Sequence, residues 1–158
     1  MFKIWVDADS CPAPVREIIL RFAQRLSLDV YYVANRPIPS DKSPYCTMIL
    51  TDSSPDAADN YIVENSDSND LAITRDIPLA KRLVDKKIVT MNDRGTVFCE
   101  QNIAQKLALR NLNLELFESG IQIEKTGSFG KKELNAFANC LDRELQKKIK
   151  MIKTDSVL

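Results

Sequence analysis

The sequence contains no histidine. That removes His-based triads, histidine general bases and most zinc sites. Hydrolytic chemistry here must rest on carboxylates, hydroxyls, thiols, amines or a hard cation held by oxygen. Net charge is also missing, because 22 Lys and Arg balance 22 Asp and Glu. With no global positive field, only a local basic patch is left as a route to phosphate. No apolar run is long enough for a signal peptide or a membrane span, and the opening MFKIWVDADS brings in charge at once. Cys11, Cys46, Cys99 and Cys140 are widely spaced and form no C-x-x-C. Without an export signal they are expected to be reduced thiols of a cytoplasmic protein. There is no internal repeat, low-complexity segment or interdomain linker. The 158 residues therefore read as one domain over 1–150 with a basic, disordered tail over 151–158.

What is present centres on Phe2–Pro14, FKIWVDADSCPAP. Phe2, Ile4 and Val6 alternate around Trp5 as in a strand. Asp7 and Asp9 stand where that strand ends, and Pro12 and Pro14 lead into a helical pattern over Val15–Leu26. Two acids at the carboxyl end of a parallel strand lie where open α/β sheets bind ligands. The plainer alternative is a solvated turn.

Downstream, Asp29–Ala34 reads as a strand, 35–40 as a loop and Cys46–Thr51 as a third strand. Ser54 followed by Pro55 marks a helix start, with Asp56 favoured in its first turn by the dipole. Asp59 lies on the flank of the face formed by Ala58, Tyr61 and Ile62. Leu71–Thr74 has the apolar character of a central strand and runs into Arg75, Asp76 and a helix from Ile77 to about Asp85. Asp76 serves equally as an N-cap. Lys87–Met91 is a fifth strand, 92–95 a turn and Thr96–Cys99 a short edge strand. Ile103–Phe117 is a helix with an inward stripe of Ile103, Leu107, Ala108, Leu112, Leu116 and Phe117, stopped by Gly120. A polar connection over 122–130 precedes a last helix over Glu133–Ile149. This order predicts a three-layer α/β/α sandwich around a mostly parallel sheet of about five strands.

Right-handed crossovers that set the first and fourth strands side by side bring Asp7, Asp9 and Asp76 to one edge, with Asp59 joining from its helix. Carboxylates gathered in this way repel one another, and a hard cation, Mg²⁺ or Mn²⁺, relieves the repulsion. Such a cluster suits metal-assisted phosphodiester hydrolysis. Ser10, Asn35, Thr74 and Asn92 stand near predicted strand ends, where they orient ligands or waters or simply serve as turn residues.

Several pieces in order carry a family resemblance: I-W-V-D-A-D-S-C-P at 4–12, V-A-N-R-P at 33–37, D-A-A-D-N-Y-I-V at 56–63, D-L-A-I-T-R-D-I-P-L-A at 70–80 and F-A-N-C-L-D-R at 137–143. Together they resemble the YaiI/YqxD family, related to PIN-domain nucleases, to about residue 145. The resemblance implies a PIN-like sandwich and a cytoplasmic bacterial-type protein. It also implies Mg²⁺ or Mn²⁺ held by Asp7, Asp59 and Asp76, with Asp7, Asp9 and Asp76 catalytic. PIN enzymes often carry Glu where Asp59 stands. Asp93 is the nearby acid further downstream. Ser10, Asn35, Arg36, Thr74 and Arg75 are the expected substrate-binding residues, and RNA is the expected substrate.

Two other readings stay open. D-A-D-S at 7–10 is similar to the opening motif of haloacid-dehalogenase-type phosphatases, with Asp7 as nucleophile and Asp9 as acid/base. Those enzymes need a paired acidic motif later, whereas T-R-D-I-P at 74–78 offers one acid. The other reading is a non-catalytic module that binds RNA or a protein through a basic rim drawn from Arg36, Arg75, Lys81, Arg82 and Arg94.

Overall fold

The four residues of β1 (Ile4–Asp7) are all buried, which follows from their place at the centre of the sheet. The computed structural model describes residues 1–39, 43–121 and 129–156. Beside β1, on one side, lie β2 (Val30–Ala34) and then β3 (Cys46–Leu50); on the other lie β4 (Leu71–Ile73) and then β5 (Val89–Met91). All four pairings are parallel, with Val6 opposite Tyr32 on one flank and Ile73 on the other. Around the sheet run α1 (Ala13–Leu26), α2 (Ala57–Asn65), α3 (Ile77–Asp85), α4 (Glu100–Glu118) and α5 (Lys131–Ser156).

Strand alternation sends successive β1 side chains to opposite faces. Ile4 and Val6 pack with Val15 and Ile19 of α1 and with Phe137, Leu141 and Leu145 of α5. Trp5 faces the other way, into a core with Ala58 and Ile62 of α2 and Leu79 and Leu83 of α3. The result is the expected α/β architecture, with helices on both faces of a five-stranded sheet. At the amino end of the sheet, buried Asp70 accepts hydrogen bonds from Trp5 Nε1 and the Lys3 amide, each at 2.9 Å, tying β4 to β1. No described helix is long and apolar enough to cross a membrane.

Four local expectations change. α2 begins at Ala57 rather than at Pro55, because the Ser54 hydroxyl and amide both donate to Asp52 and leave no cap for the turn that follows. The segment 96–99 contributes a single antiparallel bridge, Val97 to Met91, rather than a strand. On α4 only Ile103 is buried; Leu112 and Phe117, expected inward, are exposed. The apolar residues of α4 are spread round more of the helix than its contact with α3 covers. Finally, α5 stays helical to Ser156, so most of the stretch expected to be a disordered tail continues the helix. Most of the connection expected over 122–130 lies outside the described residues.

Candidate active site at the carboxyl ends of β1 and β4

The chain leaves β1 toward α1, on one face, and leaves β4 toward α3, on the other. Divergence of adjacent strands opens a crevice at their carboxyl ends, the topological switch point of the sheet. An open depression of about 550 Å³ occupies it, lined by Asp7, Asp9, Ser10, Asn35, Arg36, Ala58, Asp59, Arg75 and Asp76 among others. The catalytic, metal-holding and substrate-binding candidates from the sequence all line this depression except Thr74, which bonds Asp7; Asn92 and the rim candidates Lys81, Arg82 and Arg94 do not line it. A larger cavity of about 660 Å³ lies at the other end of the sheet, beside Phe2, Asp70 and Lys148. Its charged groups are already engaged: Asp70 takes three hydrogen bonds, and Lys148 Nζ donates to the Asn69 carbonyl at 2.9 Å.

Asp7 ends β1 and is buried. A 3-10 turn over Ala8–Ser10 folds the Ser10 hydroxyl back to Asp7 Oδ2 at 3.0 Å, and the Thr74 hydroxyl donates to the same oxygen at 2.8 Å. Oδ1 takes no hydrogen bond among the described residues. Burial pushes the Asp7 carboxyl above its ordinary value, the two hydroxyls pull it back, and the charges of Asp76 and Asp9 raise it again. Asp76 caps α3 by accepting the Leu79 amide at 3.1 Å through Oδ1. Both roles considered for it from the sequence, cap and site acid, are geometrically compatible.

Asp59 enters from the first turn of α2. Its carboxyl is raised to about 6, first by partial burial and then by the charges of Asp76, Asp7 and Asp56. The charge of Asp76 thus bears on both Asp7 and Asp59, and that of Asp7 on Asp59, across the depression. Asp9 is engaged differently: it pairs with Arg36 Nε at 3.2 Å and accepts the Asn35 amide at 3.2 Å.

The basic side chains divide in the same way. Arg75, at the end of β4, reaches toward the β5 turn and binds Asp93 through Nε, at 3.4 Å, and through Nη2. Asp93 is buried; it serves as the anchor of Arg75, a role the sequence did not suggest. Lys81 pairs with Asp85 and Arg82 donates to Asn60. Asn92 closes its own turn by accepting the Arg94 and Thr96 amides. Burial pushes the Cys11 thiol up to about 12, which disfavours its thiolate form.

An all-oxygen donor set in which burial and neighbouring acids raise Asp7 and Asp59 suits a hard divalent cation. Among the described residues, no three Cys, Asp or Glu side chains are arranged to hold an ion as they stand. Mg²⁺ ordinarily keeps several waters and takes one or two carboxylates together with substrate phosphate, so the donor chemistry still fits it.

Comparison with known proteins adds a family. The sequence matches, over residues 5–147, the family described as "Uncharacterized BCR, YaiI/YqxD family". The chain belongs to the YaiI/YqxD family. The matched span contains every residue of the depression. Among curated relatives, a UPF0178 protein of Treponema denticola is 52% identical over 154 residues, covering 98% of each chain. A UPF0178 protein of Treponema pallidum is 45% identical over 95% of this chain and 85% of its own. One of Psychromonas ingrahamii is 46% identical over 91% of this chain and 95% of its own. No solved structure matches significantly. Neither the YaiI/YqxD description nor the relatives' names state an activity.

Proposed function

We propose that the switch-point depression is the active site of a Mg²⁺- or Mn²⁺-dependent phosphodiesterase that cleaves nucleic acid. The observation that carries this reading is the convergence on one depression of Asp7, Asp59 and Asp76, carboxylates from β1, α2 and the β4–α3 junction, with Asp7 and Asp59 raised by burial and by neighbouring acids. Desolvated carboxylates that destabilise one another's charged forms are a feature that stability alone does not favour. Asp7, Asp59 and Asp76 would hold the ion. When bound, it supplies a Lewis acid that activates water and stabilises charge on phosphate.

The protein's own groups do the positioning. Ser10 and Thr74 fix Asp7 Oδ2 and leave Oδ1 directed to ligand. The tie between Asp76 Oδ1 and Leu79 leaves Oδ2 for the same use. Arg36 and Arg75 stand on the rim, where a guanidinium matches phosphate geometry. The depression is open rather than closed over a small molecule, which favours a chain-like substrate; the resemblance to PIN-domain nucleases adds RNA.

A second reading, a non-catalytic module that binds RNA or a protein, draws on two observations. Among the described residues no three acids are arranged to hold an ion directly, and both rim arginines are already paired with acids.

Thermal unfolding of the wild type and of Asp7→Asn, with and without millimolar Mn²⁺ or Mg²⁺, separates the two. A folded-state ligand at a hundredfold excess over its Kd adds about 2.7 kcal/mol. A rise in the wild type that is lost in Asp7→Asn, together with Mn²⁺-dependent cleavage of a labelled single-stranded RNA, supports the nuclease. No rise in either protein, with Asp7→Asn the more stable, favours the binding module.

A further inference from the structure

The two rim arginines are paired in different ways. Arg36 meets Asp9, an acid that itself lines the depression, through Nε alone at 3.2 Å. Arg75 meets Asp93, which does not line it, through Nε at 3.4 Å and through Nη2. Nε and Nη2 form one edge of the guanidinium fork. The other edge, Nη1 with the second hydrogen of Nη2, takes no hydrogen bond among the described residues. The Arg75 side chain is 50% exposed and that of Asp93 3%. Asp93 is itself held firmly. Asn92 closes the turn that carries it by accepting the Arg94 and Thr96 amides, and Gly95 of the same turn lies against the Ala136 backbone of α5. At its other end, Arg75 has its amide 3.5 Å from Ser10 Oγ, the hydroxyl that bonds Asp7 Oδ2.

We infer that Asp93 is a positioning residue: it grips one edge of Arg75 so that the other edge takes a phosphate of an RNA strand in the depression. The inference rests on reading the depression as a nucleic-acid site. A guanidinium can serve a carboxylate on one edge and a phosphate on the other, because its five donors form a planar, rigid fork. Fixing the fork beforehand spares the rotamer freedom that a loose arginine gives up on binding. By charge alone Asp93 opposes phosphate. Any contribution it makes to binding therefore passes through Arg75.

Fluorescence anisotropy of a labelled single-stranded RNA with the full chain tests this, with millimolar Ca²⁺ in place of Mn²⁺ so that binding is read apart from cleavage. Circular dichroism shows whether each variant is folded. Asp93→Asn should raise Kd about tenfold, the scale of one charge-assisted hydrogen bond. Arg75→Lys keeps a charge for Asp93 but has no second edge, and it should weaken binding to a similar degree. Adding Asp93→Asn to Arg75→Lys should weaken binding no further, because it then only removes repulsion. Asp93→Asn that binds as well as the wild type, or better, would overturn the inference, and so would a wild type that binds no RNA. Should Asp93→Asn fail to fold, Asp93→Glu decides instead, since it keeps the charge and displaces the fork: weaker binding upholds the inference and unchanged binding overturns it. Mn²⁺-dependent cleavage is scored separately. The expected binding pattern without cleavage keeps the inference and overturns the phosphodiesterase reading. Cleavage whose KM is unmoved by Asp93→Asn does the reverse.

Discussion

The hydroxyl of Thr74, the residue that follows β4, donates to the carboxylate of Asp7, the residue that ends β1, at 2.8 Å. The bond crosses between adjacent strands at the point where their chains part to opposite faces of the sheet. It therefore fixes one oxygen of the most buried acid in the depression, and the same Thr74 oxygen accepts the Asp76 amide at 3.0 Å. Thr74 is itself 2% exposed. Thr74→Val keeps the shape and removes both bonds, leaving Asp7 with Ser10 as its remaining hydroxyl donor. A loss of about 1–3 kcal/mol is expected in urea unfolding, the range for leaving a buried polar group short of its partner. Because the Thr74 bond holds the Asp7 pKa down, the variant should also titrate Asp7 at higher pH, which carboxyl carbon NMR would read. An unchanged titration would show that Thr74 does not act on the charge of Asp7.

Asp59 makes stability depend on pH with a definite sign. Its carboxyl titrates at about 6 in the folded protein against an ordinary 3.8. The folded state thus binds the proton more tightly than the unfolded chain. Between about pH 4 and about pH 6 it holds more protons, and stability falls as pH rises through that window. Asp59→Asn removes the penalty. In metal-free buffer at pH 8 the variant should be more stable by on the order of 1 kcal/mol, a modest figure because Asp59 is partly exposed and screened. At pH 4 the two proteins should melt together. A variant less stable than wild type at pH 8 would contradict the repulsion assigned to this acid.

The acids at the carboxyl ends of β1 and β4 were legible because pattern alone places them: an apolar run, an acid, then a helix start. The sheet order needed only that the central-looking strands, IWV and LAI, be neighbours, and they are. The rest depends on partners distant in sequence. Nothing near Arg75 indicates that it turns to Asp93, eighteen residues on. Ser54 and Pro55 form a good cap locally, but Asp52 competes for the serine hydroxyl. On α4 the leucines are spaced closely enough to suggest a buried stripe. Whether a stripe is covered depends on what packs there, and α3 reaches only the residues near Ile103.

The two rim arginines should respond unequally to truncation. Arg36 is 69% exposed and pairs with Asp9 on the surface, so Arg36→Ala should change stability by less than about 1 kcal/mol. Arg75 pairs with Asp93, whose side chain is 3% exposed. Arg75→Ala strands that carboxylate without its counter-charge. Breaking a buried pair costs about 3–5 kcal/mol, and the half-exposed arginine puts this case at the lower end. Adding Asp93→Asn should recover part of the loss, because the stranded charge is then gone. Urea unfolding of the three variants would measure these differences. Equal costs for Arg36→Ala and Arg75→Ala would mean that Asp93 is not held by Arg75 in solution.

Gly95 connects the β5 turn to α5 through an absence of side chain. Its φ is +85°, in the left-handed region that L side chains rarely adopt. A Cβ built there would stand 2.5 Å from the Ala136 carbonyl oxygen of α5, closer than any real contact. That oxygen belongs to helix backbone, so it cannot rotate aside as a side chain would. Gly95→Ala must therefore either push α5 outward or flatten the turn. The first loosens Phe137 and Leu141 against Ile4 and Val6. The second disturbs the Asn92 bonds that close the turn beside Asp93. Overpacking and left-handed strain together should cost on the order of 3 kcal/mol. Ala136→Gly removes a neighbouring methyl but not the carbonyl, so it should not rescue the variant. A double variant as unstable as Gly95→Ala itself would locate the conflict in the backbone of α5, whereas recovery would place it in the methyl–methyl contact.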